Sequence, residues 1–142
     1  MADLTLTITE AVTLNGASRG STNTHTVSSV TQIDHRIATC LHSAEQTLIL
    51  FASDIAAGTI KDATLKYLRL TNLHASRFVV VRVSGNNEEY FVKLEAGDSF
   101  ILNNSVMDAN AAGGATVSLA NIDSIGVQAD TGSVDVEIFA AA

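Results

Sequence analysis

Hydrophobic and polar residues alternate along most of this chain. Leu4, Leu6 and Ile8 interleave with Thr5, Thr7 and Thr9, the period-two signature of a half-buried strand. Val12 and Leu14 continue it to Asn15-Gly16, a hairpin-turn dipeptide. Residues 17–23 are small and polar and read as an exposed loop. From Thr24 to Leu41 the pattern stays β. Ile33, His35, Ile37, Thr39 and Leu41 share one face; Asp34, Arg36, Ala38 and Cys40 share the other. A short apolar strand is expected at residues 47–51. Residues 52–63 hold the one candidate helical turn, capped by Ser53 or Asp54 and ended by Gly58.

The clearest strands fall between Leu65 and Leu102. Residues 65–70 and 78–83 are apolar runs separated by Asn72-Leu73-His74-Ala75-Ser76, and residues 84–87 form a hairpin loop into a strand at 89–94. Ala96-Gly97-Asp98 turns the chain into residues 99–102. An Ala/Asn/Gly-rich loop spans 103–116, a strand follows at 122–129, and Val134, Val136 and Ile138 mark the last. About eight or nine short strands with regular turn signals predict an all-β fold: an antiparallel, jelly-roll-like β-sandwich. No repeat of solenoid or propeller length is visible.

Size and composition fit one domain over residues 1–142. At 142 residues and 14.9 kDa, area scaling lets about two-thirds of the unfolded surface be buried without staples. The first thirty-one residues contain twelve Ser or Thr. Residues 1–22 therefore read equally as an extended N-terminal arm or as an integral strand. Proline is absent, which leaves Gly, Asn, Asp and Ser to make the corners. A net charge of -7 argues against nucleic acid as a partner, since phosphate neutralisation needs clustered Lys and Arg. The longest aliphatic and aromatic run, Phe78-Val79-Val80-Val81, is far short of a membrane span, so no membrane partner is expected. Cys40 is the single cysteine and has no intrachain partner for a disulfide, which fits a reducing cytosol.

Chemistry-bearing residues do not assemble into a motif. His25, His35, His42 and His74 show no HxH or HExxH spacing, and Cys40 with His42 supplies two metal ligands at most. Glu88 and Glu89 are adjacent and fall on opposite strand faces. Asp123, Asp130 and Asp135 match no calcium loop. Ser18, Ser21, Ser28 and Ser29 lie outside any GxSxG elbow, and Gly113-Gly114 lacks the Lys and helix of a phosphate loop. Arg69, Arg77 and Arg82 with Tyr67, Tyr90 and Phe91 compose a modest basic-aromatic set. Ordinary outward strand charge over core aromatics explains that set better in an acidic chain. Leu94 to Phe100 is similar to the strand–Gly-turn–strand segment of cupins, without their histidines; Gly97 there reads as a turn residue. No catalytic, cofactor-binding or metal-binding residue is assigned, and no enzymatic activity is expected.

A wider resemblance rests on the order of several segments. Leu4-Thr5-Leu6-Thr7-Ile8-Thr9-Glu10 leads to Val12-Thr13-Leu14-Asn15-Gly16. Lys66-Tyr67-Leu68-Arg69-Leu70-Thr71-Asn72-Leu73 and Leu94-Glu95-Ala96-Gly97-Asp98-Ser99-Phe100-Ile101-Leu102 follow, and Val134-Asp135-Val136-Glu137-Ile138-Phe139 comes last. This ordering resembles small β-sandwich virion proteins of tailed bacteriophages. The resemblance implies a non-enzymatic structural protein, best matched to a capsid decoration or cement protein. Such a protein is made in the host cytoplasm, binds the outside of the head as a homotrimer and ties major capsid protein subunits together. The alternatives are a tail or fibre component, and a carbohydrate-binding module using Tyr67, Tyr90 or His74.

Overall fold

Over residues 32–142 the alternating segments become strands whose inward rows meet in one core. The computed structural model describes residues 1–54, 56, 58–61, 63–85, 88–107 and 119–142. Among these there is no helix, and two compact units separate, Met1–Thr31 and Gln32–Ala142.

The first unit is a two-stranded ribbon. β1 (Ala2–Glu10) pairs antiparallel with β4 (Ser21–Val30), and β2 (Thr13–Leu14) pairs with β3 (Ala17–Ser18) nearer the turn. Asn15 (φ 53°) and Gly16 (φ 77°) both lie in the left-handed region, as a two-residue type I′ hairpin turn requires. Residues 17–23 are thus no loop. They begin the returning strand, because the Asn-Gly turn reverses the chain at once and Thr22 and Asn23 pair with Thr9 and Ile8.

The second unit is a sandwich-like pair of sheets, antiparallel but for one short edge strand. Its strands are β5 (Ile33–Cys40), β6 (Gln46–Ala52), β7 (Thr59–Lys61), β8 (Tyr67–Asn72), β9 (Val79–Gly85), β10 (Glu88–Leu94), β11 (Ser99–Leu102), β12 (Val106–Met107), β13 (Ala120–Asn121), β14 (Ser124–Ala129) and β15 (Val134–Ala141). One sheet runs β11-β8-β15-β5 and the other β10-β9-β14-β6-β7; β12 and β13 pair separately. Leaving aside the two-residue strands and β7, the first strand pairs with the last (β5–β15) and the second with the second-last (β6–β14). The third pairs with the sixth (β8–β11), and the fourth with the fifth (β9–β10). β15–β8 and β14–β9 then join these pairs into two sheets, a jelly-roll-like connectivity.

Val79, Val81, Val83, Ile125 and Val127 line the inside of one sheet, and Leu68, Leu70, Val136 and Ile138 the inside of the other, all at 0% exposure. Each contributes about 1.5–3 kcal/mol through burial. The C-terminal alanines belong to this core: Ala140 to Ala142 are buried, and β15 continues through Ala141 between Ile33 and Tyr67. Their small side chains suit a crowded sheet centre more than they favour helix.

The helical turn expected within 52–63 is replaced at Thr59–Lys61 by β7, which pairs parallel with β6. Pairing puts Ile60 in the core at 2% exposure, and one helical turn offers no comparable burial. Residues 55, 57 and 62 lie outside the described set, as do Asn86-Asn87 and 108–118, including Gly113-Gly114. Ser84 and Gly85 belong to β9 and not to the expected 84–87 loop, and Gly85 pairs with Glu88.

Candidate functional site

The N-terminal ribbon sorts its side chains by face. Thr5 stands opposite Thr26, Thr7 opposite Thr24 and Thr9 opposite Thr22, so threonines alone occupy these three rungs. Their hydroxyl oxygens meet across the strands at 3.4 Å for Thr7–Thr24 and 3.2 Å for Thr9–Thr22. The other face carries Leu4 opposite Val27, Leu6 opposite His25 and Ile8 opposite Asn23, and ends at Glu10, which accepts a 2.7 Å hydrogen bond from the Ser21 hydroxyl. A two-stranded hairpin is marginally stable alone in water, and Ile8, Val12 and Leu14 are each about half exposed. The ribbon therefore carries apolar surface and strand edges suited to an assembly.

Strand edges differ sharply between the two units. In the sandwich, β7 has three residues and β11 four; β10 carries Glu88, Glu89 and Lys93, and β5 turns the Asp34–Arg36 ion pair (3.0 Å) toward the inner side. Short edges and inward charges are devices that resist strand addition. In the ribbon, residues 21–26 of β4 are all exposed and carry no Lys, Arg, Asp or Glu.

On the outer face of the four-stranded sheet, Arg69 (Nη1, 2.8 Å) and His35 (Nε2, 3.0 Å) both reach the Glu137 carboxylate. Arg69 is the larger cause, and with His35 it holds that carboxyl below the usual glutamate range. Phe139 lies between His35 and Tyr67, with ring centroids at 5.6 and 6.1 Å. Ile33 and Ile37 flank them at 52% and 62% exposure. The isoleucines of β5 thus face outward, while Arg36, Ala38 and Cys40 face the core side.

The basic-aromatic set is divided by the fold. β8 and β9 belong to different sheets, so Arg69 and Tyr67 lie on one outer face and Arg82 and Phe91 on the other. Tyr90 packs against the core, where burial raises its phenol. Arg82 forks onto Glu45 (Nε to Oε2 2.8 Å) and reaches Glu89 at 3.2 Å, and the bond to Glu45 raises its affinity for the proton. Arg77 donates to the Ser133 carbonyl at 3.3 Å.

Cys40 and His42 are not brought together as ligands. Cys40 is fully buried, and burial first, then Asp135, pushes its thiol up to about 11. His42 is exposed beyond the end of β5, and its carbonyl accepts from Gln128 at 2.7 Å. Asp135, on β15, accepts from Thr39 at 2.7 Å, while Asp123 lies just before β14 of the other sheet. Among the described residues no three His, Cys, Asp or Glu side chains group as metal ligands. His74 Nδ1 accepts the Ser76 and Arg77 amides, both at 3.0 Å, which closes a turn.

Sequence reading passed over Asn72. It is fully buried at the end of β8, and its amide faces the carbonyls of Arg77 (2.8 Å), Glu95 (3.0 Å) and Leu94 (3.2 Å) while Oδ1 accepts from His74 (2.9 Å). The His74 contact is local, but the Leu94 and Glu95 carbonyls that its amide meets lie far along the chain, outside any sequence window around Asn72.

No protein-family model matches the chain, and neither a curated protein nor a solved structure matches it.

Proposed function

We propose that this chain is a non-enzymatic virion structural protein, acting as a capsid decoration or cement protein that binds the outside of a phage head. The observation that carries the reading is the ribbon: one of two units consists of a hairpin with a threonine face, a partly apolar face and open edges. Such an element gains stability from a neighbour's surface or strand. The jelly-roll-like order is one that viral capsid and lectin domains also use, and the resemblance of the strand segments selects the capsid branch. Net negative charge suits a protein displayed in many copies.

In this reading the partners are the major capsid protein and further copies of the chain, and repetition on a symmetric shell multiplies a modest affinity. The test is cosedimentation of purified protein with emptied, expanded heads. Saturable binding at fixed stoichiometry, weakened by removal of residues 1–31, is the expected result. Binding to isolated tails alone moves the protein to the tail or fibre. Glycan binding lost on Tyr90→Ala, without head binding, replaces the reading with a carbohydrate-binding module.

A further inference from the structure

We propose that two copies of this chain pair along the β4 edges of their ribbons, antiparallel and centred on Thr24, to form one four-stranded sheet. The proposal starts from backbone geometry. The Arg19 amide donates to the Val12 carbonyl at 2.9 Å, which marks Val12–Arg19 as a hydrogen-bonded pair. Antiparallel pairs alternate between hydrogen-bonded and non-hydrogen-bonded, and the register is unbroken from Glu10–Ser21 to Leu4–Val27. Ser21, Asn23 and His25 therefore bond inward to β1. Thr22, Thr24 and Thr26 sit in the close, non-bonded pairs, as the short Thr7–Thr24 and Thr9–Thr22 hydroxyl contacts also indicate. Their own amides and carbonyls point away from β1, along an edge that pairs with no other strand among the described residues.

Centring on Thr24 places Thr22 opposite Thr26 of the second copy and Thr24 opposite Thr24 of the second copy. Each of these threonines presents outward-pointing groups, so each of these threonine pairs is of the hydrogen-bonded kind. The same register keeps like faces on one side of the sheet. The threonine rungs run on unbroken from one copy into the next, and Asn23 faces His25 of the second copy.

Charge selects a second copy, and β4 over β1. Residues 21–26 bear no fixed charge, so the strand meets its own image without repulsion. β1 carries Asp3 and Glu10 near its two ends; antiparallel pairing of β1 with itself sets these acids near one another. The sandwich edges among the described residues are short or charged, so the edge of β4 finds its least obstructed match in another β4. The pairing is two-fold and isologous, the commonest closed arrangement; it sets a dimer in place of the homotrimer that the resemblance implies, and it does not rest on the capsid reading.

Sedimentation equilibrium of the full chain, with Thr24→Pro as the first variant, tests this. The Thr24 amide makes no bond to β1, so proline there removes an outward donor and leaves the ribbon's own bonds intact. The expected result is a dimer whose association weakens roughly tenfold or more on Thr24→Pro, with thermal unfolding of the sandwich unchanged. A second pair of variants guards against local unfolding of the ribbon. Mild oxidation should link Thr24→Cys chains into disulfide dimers and leave Thr7→Cys chains unlinked, while buried Cys40 stays out of the reaction. A monomer at all concentrations, a trimer, a dimer unaffected by Thr24→Pro, or no Thr24→Cys link would each overturn the proposal.

Discussion

Gly126 lies directly beneath the Glu45 side chain, and a Cβ at residue 126 would overlap the Glu45 carboxylate. Gly126 pairs with Arg82 across β14 and β9, so the missing side chain is the space through which Glu45 reaches the Arg82 guanidinium. Gly126→Ala should push Glu45 off Arg82 and cost about 1 kcal/mol. In a Glu45→Ala background the same substitution should cost nearly nothing, because the overlap is with a flexible carboxylate and not with backbone. Chemical denaturation of the four proteins of this cycle measures the coupling; additive effects would separate the glycine from the ion pair.

Asn72 joins the end of β8 to the entry of β9 and to the β10–β11 turn. Asn72→Ala should cost about 2–4 kcal/mol by leaving buried carbonyls without a donor. Urea denaturation gives the number. A loss no larger than a surface mutation would mean that water replaces the amide.

Glu137 sets a pH dependence with a definite sign. Its carboxyl is held below the ordinary value by Arg69 and then by His35. A lowered folded-state value means that the stabilisation is present above the unfolded pKa, about 4.3. It is lost as pH falls through the folded value. Arg69→Gln should move the Glu137 titration upward by NMR and raise the midpoint of acid unfolding. An unmoved titration would remove Arg69 as the cause.

Cys40 should be silent toward thiol reagents in the native protein, because its thiol is buried and its pKa is pushed up to about 11. Thiolate is the reactive form. Labelling at neutral pH should therefore follow the opening rate of the sandwich and accelerate in denaturant. Fast labelling without denaturant would show that β5 frays from β15.

Strand content and the Asn15-Gly16 turn were legible because both are local, resting on alternation and on two residues that accept positive φ. Which face of a strand is buried was less so. Ile33 and Ile37 are more apolar than Asp34 and Arg36, yet they point outward. The inner position at the edge of β5 lets Arg36 reach both Asp34 and the Leu48 carbonyl. The threonines of the ribbon were visible one by one, but their rungs exist only once the register is known. Glu45 and Gly126 meet through β6, β9 and β14, a relationship that no window of neighbouring residues contains. β7 was missed because three residues have too little pattern of their own; its parallel partner supplies it.

The placement of β15 carries a consequence for how the chain matures. It is the final strand of the sandwich and runs through the middle of its sheet, with β5 on one side and β8 on the other. During synthesis β5 and β8 leave the ribosome with their central neighbour still unmade. The ribbon pairs near neighbours, a kind of hairpin that forms in microseconds, whereas the four-stranded sheet lacks both its β5–β15 and β15–β8 pairings until its last strand is made. Maturation is therefore ordered in time: the element suited to joining copies is ready before the body it belongs to is sealed.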